Sequence, residues 1–517
     1  RGITSSEPSL IHFGLGSDER IDRLTVRWPS GQTQVLEQLP VDRLLTIREP
    51  DPAADAPKPP PAQLAAPARA DALFTEAAAK HGLNRTATLR RFDEFGRQRL
   101  LPRRFNGLAP ALASADVNGD GRADLFVSGS SGQPGQLWLA QTDGAFAPAP
   151  SQPWASAAEC DDTGALFFDA NGDGHPDLFI SAGGVEAERG DARLQNRLYL
   201  NDGRGAFTLA GADILPADAE STCASAAADF DGDGNIDLFV GGRLVPGRYP
   251  ETPRSFLYRN EGGRFIDATE QLAPGLRDVG MVTGATWSDL DGDGRPDLVL
   301  ARDWGAITVF RNTGSGFENI TARLGLAAHT GWWRTVAALD VDGDGRTDLV
   351  AGNVGLNTKY RASPSEPAVL FAGDLDGSGK SQIVEAHHEN GKLYPVRGRS
   401  KLAYSFPWLT KKFRTFKAFS QATIEDIFDA ERLAGAQKLV ATELASGIFF
   451  QQPDGTFAFR PFERAAQIAP INAIVARDFD RDGHLDLFCA ENDFSAEPNT
   501  GRFDGGLGLL LKGDGRG

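Results

Sequence analysis

The chain has 517 residues, 41% of them hydrophobic, which is enough to bury a large core. Its 70 acids outnumber 53 bases for a formal net charge of −17, which argues against a nucleic-acid partner. Three cysteines are too few for a disulfide scaffold, and no apolar run is long enough to span a membrane.

Residues 1–49, with "IHFGLG" and "VRWPSG", read as a small β module that is marginal alone. Residues 50–70 are rich in Pro and Ala and read as a semi-stiff linker. The remainder, 71–517, opens on "LFTEAAAKHGL" (Leu73 to Leu83) and then becomes repetitive. What repeats is an acidic loop running straight into an apolar strand. The first copy, "DVNGDGRADLFV", offers Asp116, Asn118, Asp120 and Asp124 at positions 1, 3, 5 and 9. The second offers Asp169, Asn171, Asp173 and Asp177, and the third Asp229, Asp231, Asp233 and Asp237. Asp289, Asp291, Asp293 and Asp297 form the fourth, and Asp340, Asp342, Asp344 and Asp348 the fifth. The sixth is degenerate: Asp374 and Asp376 are followed by Ser378 and Gln382, so its site is expected to be the weakest or empty. Asp478, Asp480, Asp482 and Asp486 complete the series.

Carboxylates this close raise each other's pKa, and a cation among them is the expected remedy. Oxygen ligands at alternate positions, with glycine at the sharp turn, suit Ca²⁺. Glycine fills position 6 in all seven copies. Position 7 is Arg122, His175, Asn235, Arg295, Arg346, Lys380 or His484, and that indifference is what a backbone carbonyl ligand predicts. The loop from Asp229 has no glutamate at position 12 and leads into strand-like residues, so it is not an EF-hand. Six or seven Ca²⁺ ions are expected.

Between the loops lie strand–turn–strand units: "LWLAQTDGAF", "LYLNDGRGAF", "LYRNEGGRF", "VFRNTGSGF" and "FFQQPDGTF". A unit of about four short strands, repeated seven times, predicts an all-β fold, a seven-bladed β-propeller. The strand "AVLF" at 368–371 falls to the fifth blade and the hairpin at 449 to the sixth, which then carries an insertion at about 390–440. There, Pro407 and the spacing of Leu409, Phe413, Phe416, Ile424 and Ile427 predict a helix. The final hairpin, "LGLLLKGDGRG", stops before the strand that other blades supply, and the segment from Leu73 has the layout to complete it.

The D-x-[DN]-x-D-G-x-x-D loops resemble the FG-GAP, or VCBS, repeats of integrin α-subunit propellers and of the cartilage acidic protein family. Residues 1–49 resemble the ASPIC/UnbV module found beside such propellers. The resemblance implies the propeller fold, and because that module usually follows a propeller it implies a region upstream of Arg1. It implies little about function, since propellers host many.

The reading is a calcium-stabilised, exported propeller that serves as a protein- or glycan-binding or assembly module. The alternatives are a structural subunit of a large extracellular or periplasmic complex and a carbohydrate-active lyase or hydrolase. Loops of short carboxylates suit the higher calcium outside the cytosol, so a bacterial, periplasmic or surface location is expected. The chain starts at Arg1 with no signal peptide and reads as a processed product or fragment. No zinc, nucleophile-elbow or P-loop motif appears, and no catalytic residue is assigned. His387, His388, Tyr394 and Arg399 read as surface residues of the insertion rather than as a lyase centre. Partner contacts are expected at Trp304, Trp332, Trp333 and Arg334, which would line a mouth. Arg399, Lys411, Lys412 and Arg414, in an acid-free stretch from Lys392 to Thr423, would face an acidic partner or a glycan. Cys160 and Cys223 are the candidate disulfide, with buried thiols as the alternative.

Overall fold

The computed structural model describes residues 20–28, 32–41, 45–48, 74–88, 90–149 and 153–515. They divide into two units, Arg1–Thr75 and Glu76–Gly517. In the first, strands Arg20–Arg27 and Thr33–Pro40 pair antiparallel from Arg20↔Pro40 to Arg27↔Thr33. The "IHFGLG" stretch and the linker at 50–70 lie outside the described residues.

The second unit is a series of twisted antiparallel sheets. The first blade takes Leu112–Ala115, Asp124–Val127, Gln136–Ala140 and Phe146–Pro148 in chain order. The second (Asp161–Phe168 to Phe207–Leu209), third (Thr222–Ala228 to Phe265–Asp267) and fourth (Met281–Ser288 to Phe317–Asn319) repeat that order. First strands of successive blades lie side by side. The strand Asp237–Gly242 shows why the sequence packs this way. Leu238, Phe239 and Val240 are each 0% exposed. Leu238 and Val240 pack with Phe179 and Leu198 of the blade before, and Phe239 with Leu298 and Phe310 of the blade after. Side chains alternate faces along a strand, so a continuous apolar run buries itself against both neighbours. Each such side chain contributes roughly 1.5–3 kcal/mol of burial.

The fifth blade departs from the expected order. Thr335–Leu339 pairs with Asp348–Gly352, which pairs not with the next strand in the chain but with Gly447–Gln451; Phe457–Pro461 completes the sheet. Between them, a separate sheet is ordered Lys392–Pro395, Gln382–Glu389, Ala368–Gly373, Gln437–Ala441. Among the described residues the seven expected blades are therefore six consecutive blades and one inserted sheet. "AVLF" at 368–371 belongs to the inserted sheet, and the hairpin at 449 to the fifth blade. Local strand signals look alike in a blade and in an insertion, and only pairing separates them. The expected helical insertion is present as five short helices from Arg399–Ser405 to Ala430–Gly435. Leu409, Ile424 and Ile427 are buried there with Phe406, Phe419 and Phe428, while Phe416 is exposed.

Acidic loops join first strands to second, so the second-to-third connections lie at the opposite end of each blade. At that end the inserted sheet shares one core with the connections. Leu370 and Ile383 of the insertion pack with Val185, Leu244, Trp304 and Val354 of four blades and with Leu101 and Phe105 of the lead-in segment. The insertion is a cover for that end of the propeller.

The last sheet has three strands among the described residues: Ile471–Arg477, Asp486–Glu491 and Leu509–Leu511. Its upper connection is tied to the lead-in of the first blade, with Arg104 N donating to Ser495 O at 2.9 Å and Glu497 N to Pro102 O at 3.1 Å. Leu73 lies outside the described residues. Residues 76–83 lie against the first blade, where Phe146 N donates to His81 O at 2.7 Å. The tails of the second and fourth blades meet the following blade in the same way, through Phe265 N to Ile214 O and Phe457 N to Leu324 O.

Candidate metal centres

Each loop is wound around its first aspartate. Asp116 accepts from the N–H groups of Gly119 (2.9 Å) and Asp120 (3.1 Å) on one oxygen and from Gly121 (2.7 Å) on the other. Asp169, Asp229, Asp289, Asp340 and Asp478 make the same three bonds. Two left-handed residues make the winding feasible. Position 6 is always glycine, at φ +81° in Gly121, and position 4 is also left-handed, with Arg481 at φ +65° in the last copy. The N–H of position 7 then donates to the position-5 carboxylate, as Arg122 does to Asp120.

Position 9 ties the loop to its sheet. Asp237 accepts from Phe230 N at 3.0 Å and, on its other oxygen, from Asn260 N at 2.7 Å at the end of the third strand. Asp124, Asp177, Asp297, Asp348 and Asp486 repeat the pair. All six are at most 1% exposed. Burial, together with the neighbouring carboxylates, pushes Asp237 up to about 7 and Asp177 and Asp297 up to about 6, against the pull of the backbone N–H groups.

The carboxylates converge. One oxygen from each of Asp229, Asp231 and Asp237 lies within 4.8 Å of the others. The same holds for Asp289, Asp291 and Asp297, for Asp340, Asp342 and Asp344, and for Asp478, Asp480 and Asp486. The first two loops have asparagine at position 3, whose amide oxygen also faces the turn: Asn118 and Asn171 accept from the position-5 N–H. These donor sets are all oxygen, negatively charged and partly buried, which fits a hard divalent cation and no soft metal.

Two family models match parts of the chain. The ASPIC and UnbV family matches residues 1–54, and the FG-GAP-like repeat matches 116–180, 185–240 and 289–351. The chain thus carries FG-GAP-like repeats and an ASPIC/UnbV-like segment over those residues. No curated protein matches it. Solved structures similar to it include the V. cholerae biofilm matrix protein Bap1 (12% identity over 74% of this chain and 77% of that one, TM-score 0.30). The Dos1 propeller matches at 11% identity over 47% and 63%, with a TM-score of 0.29. BBS1N, crystallised with ARL6DN, matches at 11% over 74% and 89%, with a TM-score of 0.30.

Within the series of acidic loops the sixth is different in kind. Gln382 stands at position 9, and its Oε1 accepts from Leu375 N at 2.9 Å, as the aspartates do at their own loops. Its Nε2 donates to Asp376 at 2.8 Å and to Ser378 at 3.0 Å. The amide N–H₂ thus donates to positions 3 and 5 from within the loop, where the fourth and seventh loops take Arg311, on Asp291 and Asp293, and Lys512, on Asp480. Position 7 is also less passive than its variability suggests. Arg122, Arg295 and Arg346 turn back onto the position-5 carboxylates Asp120, Asp293 and Asp344. Lys380, Asn235, His175 and His484 hold the same place in their loops.

Sequence reasoning overlooked a stitch between blades. The residue ending the third strand reaches back to position 2 of the previous loop: Asn201 to Val117 O (2.9 Å), Asn260 to Ala170 O (2.9 Å), Asn312 to Phe230 O (2.7 Å) and Gln451 to Leu290 O (2.8 Å). The signal was present as the polar residue closing "LYLN", "LYRN", "VFRN" and "FFQ". Gln451 reaching Leu290 also places the hairpin at 449 in the blade next to the fourth.

The other singled-out residues are mostly internal. Trp304, Trp332 and Trp333 are 7%, 8% and 0% exposed, and Trp304 donates to Tyr249 at 2.6 Å. Arg334 pairs with Asp493 at 2.7 Å. Arg399 donates to the carbonyls of Phe413 and Arg414, and Lys412 to that of Ile427; Lys411 and Arg414 are exposed. His388 Nδ1 lies 3.0 Å from the Pro367 carbonyl, so His388 and Arg399 are both engaged within the insertion. The candidate disulfide is not formed, and Cys160, Cys223 and Cys489 are free. Cys223 lines a cavity at the inner ends of the blades with its Sγ 3.6 Å from Thr163 O, whereas Cys160 is buried in the preceding turn beside Arg197 and Asp162. Burial pushes both thiols up.

Proposed function

We propose that the chain is a calcium-stabilised, exported propeller that acts as a binding or assembly module, its six ring loops each holding one Ca²⁺. The observation that carries this is the recurrent convergence of carboxylate oxygens within 4.8 Å at loop after loop. Ca²⁺ would relieve the repulsion among those charges and lower the position-9 pKa values that burial raises. The residues that would hold it are those at positions 1, 3, 5 and 9, with the position-7 carbonyl. Short carboxylate loops without a dedicated cage suit the calcium concentrations of an extracellular or periplasmic setting. Among the described residues no helix is long and apolar enough to cross a membrane. Function then rests on what the six blades and their cover present at the opposite end, to a protein or a glycan and within a larger assembly.

The test is metal analysis of protein purified in calcium and exhaustively washed. Six ions per chain, with none at the 374–382 loop, is the expected stoichiometry. An absence of calcium from folded protein would remove the basis of the reading.

A further inference from the structure

At the inner ends of the blades is a cavity of about 1030 Å³. Arg103, Arg243 and Arg334 are on its wall, and among the described residues two carboxylates, Asp303 and Asp493, pair with them. Arg103 lies 2.6 Å from Asp303 and 3.5 Å from Asp493; Arg243 lies 3.2 Å from Asp303 and Arg334 2.7 Å from Asp493. All five side chains are between 2% and 12% exposed, so the cluster holds one uncompensated positive charge. Nη1 of Arg243 and Nε of Arg334 are buried with no hydrogen-bond partner. Leaving such donors unsatisfied is costly, and an excess buried charge more so. In a chain of net charge −17 this is a local reversal of sign.

We propose that this cavity binds a carboxylated saccharide, its carboxylate taken by Arg243 and Arg334. The planar guanidinium fork matches a carboxylate, and the surplus positive charge favours one. The rest of the lining suits a sugar: Asn472 and Thr283 offer amide and hydroxyl groups, and Phe494, 72% exposed, presents an aromatic face to C–H groups. The volume is at the upper end of ligand cavities, enough for more than one ring. The acidic exterior disfavours a long polyanion, so the ligand is a free sugar acid or a chain end. The inference deepens the binding-module reading and rests on it.

The test is calorimetric titration of the full chain, in calcium, with galacturonic acid, its trimer and the methyl-esterified trimer. The acid is expected to bind at least tenfold more tightly than the ester. A trimer tighter than the monomer assigns a polymer end; equal affinities assign a free sugar acid. Arg243→Lys keeps the charge and loses the fork, and should weaken binding tenfold or more. Phe494→Ala, at an exposed site, should weaken the trimer several-fold without changing the melting temperature. Equal binding of acid and ester overturns the proposal, as does displacement by acetate at the trimer's own affinity. So does no binding by protein that still melts cooperatively with its calcium. In that last case a glycan array separates the two readings, because hits confined to neutral sugars leave the module standing and silence counts against both.

Discussion

The loops at 229–237 and 374–382 have the same backbone and opposite internal chemistry. In the first, the donors to Asp229, Asp231 and Asp237 are backbone N–H groups; in the second, the Gln382 side-chain amide also donates, to Asp376 and Ser378. Two of the three bonds around the first aspartate are preserved: Asp374 still accepts from Gly377 and Gly379. The turn is therefore encoded by glycines and the first aspartate, and the proposed cation site by positions 5 and 9. The location of the two loops fits the distinction, since one stitches ring blades and the other lies in the covering sheet.

Removing calcium should give the largest effect. An ion present at a hundred times its dissociation constant stabilises the folded state by about 2.7 kcal/mol, so losing it from several ring loops should lower the melting temperature by on the order of 10–20 °C. A thermal scan with and without EDTA reads this directly. Unchanged melting at unchanged metal content would erase the contrast between the two loops.

Asp237→Ala comes next. It orphans the buried N–H groups of Phe230 and Asn260 and should cost about 2–4 kcal/mol, with one fewer bound ion. Gln382→Ala should cost about 1–2 kcal/mol and leave the ion count as it was. Denaturant titration with metal analysis distinguishes them, and equal ion counts in the two variants would break the comparison.

A buried carboxylate outside any loop serves as the control. Asp161 is 7% exposed, and burial, with Asp162 and Glu186 nearby, pushes it up to about 7 from an ordinary 3.8. Its folded pKa is raised, so the folded state holds the proton where the unfolded chain has lost it. Stability contributed by this group is full below pH 4 and is lost as pH rises through 7. Asp161→Asn should remove that slope and gain about 1–2 kcal/mol at pH 8, after allowance for local relaxation. Calcium should not alter the Asp161 slope. If it did, the control would fail.

The smallest effect is a gain. Ser378→Asp with Gln382→Asp restores the ring pattern in the sixth loop and should add one calcium ion, with about 1 kcal/mol of calcium-dependent stability. A double variant that binds no extra ion would show that the loop's surroundings, Arg432 near Asp374 among them, matter more than positions 5 and 9.

Much of this was legible along the chain. Asp229 to Asp237 announce a turn, a cation requirement and a following strand within nine residues, because each is a local consequence of spacing and side-chain type. The degeneracy at Ser378 and Gln382 was equally visible, although the amide's internal donation was not. The arginine cluster was nearly invisible: Arg103, Arg243, Asp303, Arg334 and Asp493 are scattered over 390 positions, and only Arg334 drew notice.

By itself the sequence determined the repeat, the strands, the winding of each loop and the place where its charges need help, since these depend on residues close along the chain. Only the tertiary structure decided which strands pair. Gly447–Gln451 joins Asp348–Gly352 across an insertion of its own, and pairing of that span is set by burial on both faces of a sheet rather than by any local signal. The same holds for the arginines, whose net charge has meaning only once blades from across the chain bring them to one cavity wall.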